Sequence, residues 1–85
     1  MKYRLAEHVT VTEIENEAVL MDLNAGQYFG LNHVGARFLK QLNDDQQEVV
    51  ANIAKYYQTD QKEVAKDIDE LIEQLLDKKL LIPTK

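Results

Sequence analysis

The spacing of apolar residues changes near Asn32, and this change limits what the chain can fold into. Before Asn32, residues 8–14 alternate between apolar and polar, as in a strand that buries one face. After it apolar residues recur every third or fourth position, as in amphipathic helices. No linker separates the two regions, and 85 residues suffice for one modest core. We therefore expect one α+β domain spanning residues 1–85.

The first region predicts a meander of three antiparallel strands. The expected strands cover residues 8–14, 18–23 and 27–32. The second loop, Asn24 to Gly26, has three residues and offers Gly26 for a left-handed position. This loop would set Leu23 opposite Gln27. The inner face would then collect Val9, Val11, Val19, Met21, Leu23, Phe29 and Leu31. The third strand would form an edge of the sheet.

The second region predicts three helices, each with a residue that can cap its start. The caps are Asn32, Asp44 with Gln47, and Asp60, which forms a capping box with Glu63. The first helix would cover residues 33–42, and the third, the longest, would reach about Lys79. The third helix has a broad apolar arc of Val64, Ile68, Leu71, Ile72, Leu75 and Leu76. Residues 80–83 would follow as a short apolar tail.

An apolar sheet face and three amphipathic helices predict a winged helix-turn-helix-like α+β fold, with the N-terminal sheet packed on the helices. Such folds often bind DNA, so charge is the discriminating feature. The net charge is -5. The exposed face of the third helix offers Lys62, Glu63, Lys66, Asp69, Glu70, Glu73 and Asp77. This face would repel phosphate, so we expect no nucleic-acid partner.

Catalytic and metal-binding patterns are not found in the sequence. It has no cysteine, and neither His8 nor His33 has a nearby ligand at the usual spacing. The paired carboxylates Asp44–Asp45 and Asp67–Asp69 could do acid–base work but are typical of caps and solvated surface. We therefore expect no enzymatic activity, no cofactor and no metal.

The cellular location is predicted from the composition of the N-terminal residues and from the hydropathy of the chain. Residues 1–9 lack the apolar core of a secretion signal, and no run approaches the ~20 apolar residues that span a bilayer. The absence of cysteine fits a reducing compartment. We expect a cytoplasmic protein without a membrane partner.

The third predicted strand is the strongest candidate for a binding site. Tyr28 to Leu31 is apolar and has no lysine or proline to protect an edge. Such an edge can accept an extended peptide as a fourth strand, and Gly30 permits close approach of that backbone. Alternatively, a helix or the C-terminal tail covers it. The residues alone leave both possibilities open. A bare edge could also permit dimerisation or strand swapping, although we expect a monomer.

Two segments carry a resemblance to a known family. The run from Asp22 to Asn32 (DLNAGQYFGLN), followed by Val34-Gly35-Ala36, resembles the strand–turn–strand–helix signature of PqqD-like proteins. The segments 63–68, 71–75 and 79–81 resemble their later signature. These proteins are the RiPP recognition elements, which recognise ribosomally made, modified peptides. The resemblance covers nearly the whole chain in order.

Within that family the chain is most similar to the stand-alone leader-binding proteins of lasso peptide biosynthesis. The similarity lies in residues 3–9 (YRLAEHV) and 26–32 (GQYFGLN). Members that act as chaperones of the pyrroloquinoline quinone precursor typically have a tryptophan near the Leu-Asn pair. This chain has no tryptophan, so the quinone pathway is the alternative.

The resemblance implies an adaptor that binds the leader of a precursor peptide by strand addition. The adaptor would deliver the leader to a separate leader peptidase, a cysteine protease, and onward to a cyclase. In lasso systems the leader typically presents a tyrosine and a nearby proline to an apolar patch. Transferred by position, the peptide-binding residues would be Gln27, Tyr28, Phe29, Gly30, Leu31, Val64, Asp67, Ile68 and Leu71. Asp67 could accept a hydrogen bond or a charge from the leader, or it could be only a solvated partner of Lys66 or of its other helical neighbours.

Overall fold

Five strands and three helices make up residues 2–42 and 44–84, the part of the chain that the computed structural model describes. In chain order they are β1 (Lys2–Leu5), β2 (Val9–Ile14), β3 (Glu17–Asp22), β4 (Gln27–Leu31), α1 (His33–Lys40), α2 (Gln46–Tyr57), α3 (Gln61–Asp77) and β5 (Leu81–Thr84). Strands β2, β3 and β4 form an antiparallel sheet in that order. The predicted winged-helix-like α+β fold and the predicted meander are confirmed.

The register of the meander differs by one residue from the expected one. Leu20 pairs with Phe29 on one side and with Val11 on the other. The inner face of β3 therefore consists of Ala18 and Leu20, which are buried, and the prediction that Val19, Met21 and Leu23 face the core was wrong. Residues 18–21 are all apolar, so alternation along β3 could not distinguish its two faces.

The loop between β3 and β4 explains the shift between those two strands, whereas the shift between β2 and β3 comes from their two-residue turn, 15–16, which pairs Ile14 with Glu17. Asp22 pairs with Gln27, so the loop has four residues, 23–26, where the sequence predicted three. The Asp22 carboxylate accepts backbone N–H groups from Asn24 (2.9 Å) and Ala25 (3.1 Å), and the Asp22 carbonyl accepts the N–H of Gly26 (2.7 Å). The left-handed conformation of Gly26 is confirmed by its φ of 67°. The Asp22 side chain thus stabilises a turn one residue longer than predicted, because it accepts hydrogen bonds from the backbone of that turn.

A second, two-stranded sheet joins the two ends of the chain. Strand β1 pairs antiparallel with β5, with Tyr3 opposite Pro83 and Leu5 opposite Leu81. Tyr3 and Leu81 are buried. The sequence predicted residues 80–83 only as an apolar tail, because pairing between distant segments leaves no local signal. The tail therefore pairs with β1 and not with β4 in the described part of the chain.

The helix starts follow the predicted caps with two corrections: the cap of α2 is a different aspartate, and Asp60 bonds to the Lys62 N–H, so the predicted capping box with Glu63 is not formed. The Asn32 side chain accepts the N–H of Gly35 (3.0 Å), and the Asp60 carboxylate accepts the N–H of Lys62 (2.8 Å). The cap of α2 is Asp45, whose carboxylate accepts the N–H of Gln47 at 2.8 Å. The prediction of Asp44 was wrong by one position, since either aspartate could have served.

The core lies between the inner face of the sheet and the three helices. Its fully buried large side chains are Leu20, Val49, Ile53, Ile68 and Leu75. Helix α1 contacts β3 and β4, and α3 contacts α1, α2 and β5. Helix α3 comes near β4 through two of its residues, Leu71 and Lys78.

Candidate functional site

Strand β4 forms an open edge of the three-stranded sheet. Among residues 2–42 and 44–84 its only strand neighbour is β3. Tyr28 is 70% exposed, and Gly30 is exposed as well. Neither the tail nor a helix covers this strand, so the alternative of a covered edge does not hold for the described residues.

The hydrogen-bond pattern fixes which backbone groups point outward. In antiparallel pairs, hydrogen-bonded and non-bonded positions alternate. The Leu23 N–H donates to the His8 carbonyl (2.8 Å), so odd-numbered residues of β3 bond to β2 and even-numbered ones bond to β4. On β4 the partners of those even-numbered residues are Gln27, Phe29 and Leu31. The N–H and C=O groups of Tyr28 and Gly30 therefore face away from the sheet, and we call them the open edge.

The inner side of β4 forms one wall of a groove. Phe29 is half-buried and Leu31 is 5% exposed, and both point toward the helices. Leu31 packs beside Gly35 at the start of α1. A Cβ atom on Gly35 would lie 3.2 Å from Leu31 Cβ and 3.2 Å from Leu71 Cδ2. Leu31 and Leu71 thus meet over a glycine that leaves just enough room for both.

One flank of α3 forms the opposite wall. Asp67, Leu71, Gln74 and Lys78 follow one another at spacings of four, three and four, which places them in a single row along the helix. The Lys78 ammonium lies 5.8 Å from the centre of the Phe29 ring. The row therefore faces β4, with Lys78 near the start of the strand and Leu71 near its end. We call the space between this row and the Phe29–Leu31 wall the groove.

The groove is shallow in the free protein. A cleft of about 30 Å³ lies at its Lys78 end, lined by Asp22, Gln27, Tyr28, Phe29, Lys78 and Leu80. A larger hollow of about 700 Å³ lies elsewhere, between α2 and α3. The side chains of Gln46 and Asp69, which line that hollow, hydrogen-bond to each other (2.9 Å). The hollow is mainly polar and open, so we assign the site to the groove, where apolar side chains meet free backbone groups.

The structure divides the sequence-predicted site residues into three groups. Gln27, Tyr28, Gly30 and Asp67 are exposed, Phe29 and Leu71 are half-buried, and Leu31, Val64 and Ile68 are buried. At 3% and 0% exposure, Val64 and Ile68 lie in the core and position α3. Asp67 makes no ion pair with Lys66 in the described part of the chain.

Three residues of the site were missed by sequence reasoning. Gln74 and Lys78 lie seven and eleven positions after Asp67, so extending the helical row along α3 would have found them. Gly35 was quoted only for the family resemblance. Its role in spacing Leu31 and Leu71 has no signature in the sequence apart from a glycine within a helix.

Histidines and carboxylates take structural or solvated positions. His8 Nε2 lies 3.8 Å from Asp22 Oδ1, and the His33 ring packs on Tyr57 at 4.9 Å between ring centres. Within residues 2–42 and 44–84 no three His, Cys, Asp or Glu side chains gather in a way that could hold a metal ion. No helix of the described residues is both long and apolar enough to cross a membrane.

The outer surface of α3 carries the mixed and mainly acidic charge that the sequence predicts. All seven side chains named for that surface are exposed: Lys62, Glu63, Lys66, Asp69, Glu70, Glu73 and Asp77. Five carboxylates and two ammonium groups present a field that opposes a phosphate backbone. The longest helix of this fold is therefore poorly suited to enter a DNA groove.

The fold and site together define a winged-helix-like domain with an open edge strand beside a helix-walled groove. The chain belongs to the PqqD family, since the family model described as coenzyme PQQ synthesis protein D matches residues 17–81. The predicted resemblance to PqqD-like proteins is thereby confirmed. The matched segment begins at β3 and includes β4 and all three helices, so it contains the whole groove.

Two solved structures have the same fold over essentially the full length. One is TbiB1 in complex with the TbiA(beta) leader peptide, with 32% identity, a TM-score of 0.81, and coverage of 100% of this chain and 99% of that chain. The other is lasso peptide synthetase B1 complexed with the leader peptide, with 22% identity, a TM-score of 0.86, and coverage of 98% and 100%. The second likeness shows the fold alone. The search of curated proteins found no match.

Proposed function

We propose that this chain is a RiPP recognition element, a non-catalytic adaptor that binds the leader of a ribosomally made precursor peptide of the lasso class. The observation that carries the proposal is the open edge. Tyr28 and Gly30 present free backbone N–H and C=O groups beside an apolar groove. The relative TbiB1, at 32% identity over the full chain, was solved with a leader peptide. That complex supports assigning the same class of ligand to this groove.

In this proposal the leader adds to β4 as a fourth strand. Its main chain bonds to Tyr28 and Gly30, and every second side chain enters the groove against Phe29, Leu31 and Leu71. Asp67 and Lys78 lie near opposite ends of the groove and select charges along the leader. The contacting residues are thus Gln27, Tyr28, Phe29, Gly30, Leu31, Asp67 and Leu71, joined by Gln74 and Lys78 and supported from the core by Val64 and Ile68.

The adaptor acts by holding the leader while other proteins do the chemistry. An extended leader fixed on β4 exposes the rest of the precursor to a separate leader peptidase, a cysteine protease, and then to a cyclase. The chain does this as a monomeric single domain in the cytoplasm. Pairing of two β4 strands in a dimer would block the same edge, so dimerisation and leader binding compete.

A chaperone of the pyrroloquinoline quinone precursor is the second candidate, favoured by the description of the matching family. It would use the same open edge but a different peptide. The full-length likeness to TbiB1 favours the lasso leader. Titration with each peptide distinguishes the two candidates.

Calorimetric titration with a synthetic leader from the nearest precursor gene tests the proposal, with the TbiA(beta) leader and the quinone precursor as comparison peptides. We expect micromolar or tighter binding of a lasso leader. Binding should be lost in Gly30→Pro, which removes an outward donor on an edge strand while sparing the pairs with β3.

Val11→Pro is the matched control for the proline variant. Val11 lies on β2, and by the same alternation its N–H faces away from the sheet on the opposite edge. Val11→Pro should bind the leader like the unchanged protein. Full affinity in a folded Gly30→Pro variant, or failure of every leader to bind the unchanged protein, would overturn the proposal.

A further inference from the structure

The face of the sheet that points away from the helices carries an apolar patch around a glycine. The side chains of Val19, Met21 and Tyr28 lie on this outer face, together with Gly30. Val19 and Met21 are only half-buried, although they belong to the central strand. The patch extends to the open edge, because Tyr28 and Gly30 are also the residues whose backbone groups face outward.

Gly30 makes a notch in this patch. It is directly opposite Val19, and Tyr28 is directly opposite Met21. A Cβ atom built on Gly30 would meet nothing within 4 Å, so the space above it is empty. We call the space above Gly30, bounded by Val19, Met21 and Tyr28, the notch. A strand glycine of this kind leaves its cross-strand neighbour free to lean over it.

We propose that the notch is a second specificity site, which binds one large apolar side chain of the peptide strand added to β4. This inference rests on the proposed function. The peptide residue opposite Gly30 points to the same side of the sheet as Gly30 itself. Because Gly30 has no side chain, that residue reaches across it to Val19 and packs against the Tyr28 ring.

The notch makes recognition two-sided. Side chains of one parity enter the groove on the helix side, and the next residue along the peptide occupies the notch on the outer face. The peptide class that fits therefore has large apolar residues at adjacent positions of its bound strand. A peptide that is apolar only at every second residue would fill the groove but leave the notch empty and bind more weakly.

Gly30→Val tests the notch without disturbing the edge. Valine fills the empty space, keeps the backbone N–H and suits a strand, so the variant should fold with equal or higher thermal stability. We expect its affinity for the synthetic leader to fall at least about tenfold, which corresponds to ~1.4 kcal/mol. Thr12→Val is the matched control. It places a valine opposite Val19 on the β2 side, away from the notch, so this variant should bind the leader with unchanged affinity.

An alanine scan of the same leader completes the test. For the unchanged protein, replacing one leader residue that points to the outer face by alanine should lower the affinity of the leader. For the Gly30→Val variant, the same alanine substitution in the leader should not lower the affinity any further. Wild-type affinity of Gly30→Val, or the same alanine penalty on both proteins, would overturn the notch. A different result would contradict the proposed function itself: a folded Gly30→Pro variant that still binds the leader with full affinity.

Discussion

Leu71 of α3 lies directly over Gly35 of α1, so that a Cβ atom on Gly35 would be only 3.2 Å from Leu71 Cδ2. The same atom would be 3.2 Å from Leu31 Cβ on β4. Three elements therefore meet where one residue has no side chain. This contact sets the distance between the two walls of the groove.

Gly35→Ala should lower the free energy of unfolding by about 1 kcal/mol, because an overpacking cost of ~1–3 kcal/mol outweighs a helix-propensity gain of at most ~1 kcal/mol. Leu71 can rotate away, but Leu31 Cβ is fixed to the strand. Urea unfolding measures the change. In a Leu71→Ala background the penalty should shrink. A stabilising Gly35→Ala would show that the walls are not in tight contact.

The register of the sheet can be tested with two neighbouring residues. Leu20→Ala should destabilise the protein by about 2–5 kcal/mol, because Leu20 is fully buried on the inner face. Met21→Ala should cost less than about 1 kcal/mol, since Met21 is half-buried on the outer face. Thermal or urea unfolding of the pair decides the matter. A larger loss for Met21→Ala would support the register expected from the sequence.

The start of α2 offers a similar pair. Asp45→Ala should cost about 1 kcal/mol, because it removes the acceptor of the Gln47 N–H. Asp44→Ala should be nearly neutral, since its neighbour holds the cap. Both changes remove one negative charge, so the difference between their unfolding free energies isolates the capping bond. Equal costs would contradict the assignment of Asp45.

The errors made from the sequence have local causes. Residues 18–21 are all apolar, so no pattern could tell Ala18 and Leu20 from Val19 and Met21. The turn that settles the register between β3 and β4 depends on the Asp22 carboxylate, which accepts two backbone N–H groups of its own loop. A side-chain contact of this kind is not encoded in hydrophobic periodicity.

The end of α3 was also hard to place. It stops at Asp77 because Lys79 takes a left-handed conformation, with φ of 61°. The Lys79 N–H donates to the Leu76 carbonyl and the Leu80 N–H to the Leu75 carbonyl, the arrangement of a Schellman cap. Such caps usually carry glycine, so a lysine there gives no stop signal.

The candidate site was partly visible in the sequence. The inward direction of Phe29 and Leu31 was predicted from the sequence and agrees with their burial. The residues alone did not decide whether the edge of β4 is bare or covered. The helix wall was harder to define, since Val64 and Ile68 belong to the same apolar arc as Leu71 but lie deeper. Only the packed structure separates the centre of that arc from its flank.

Leader affinity should depend weakly on salt. The backbone bonds of the open edge and the apolar groove contribute no net charge, and Asp67 and Lys78 have opposite signs. A ~tenfold rise in ionic strength should change the dissociation constant less than about threefold. Calorimetric titration at low and high salt measures this. A steep loss of affinity would show that charge steering dominates.

Amide hydrogen exchange at the open edge tests the central claim most directly. The N–H groups of Tyr28 and Gly30 face solvent in the free protein and should exchange quickly, as should that of Val11 on the other edge. When the leader is bound, Tyr28 and Gly30 should become strongly protected while Val11 stays unchanged. Saturating leader that leaves Tyr28 and Gly30 exchanging as fast as before would contradict strand addition to β4.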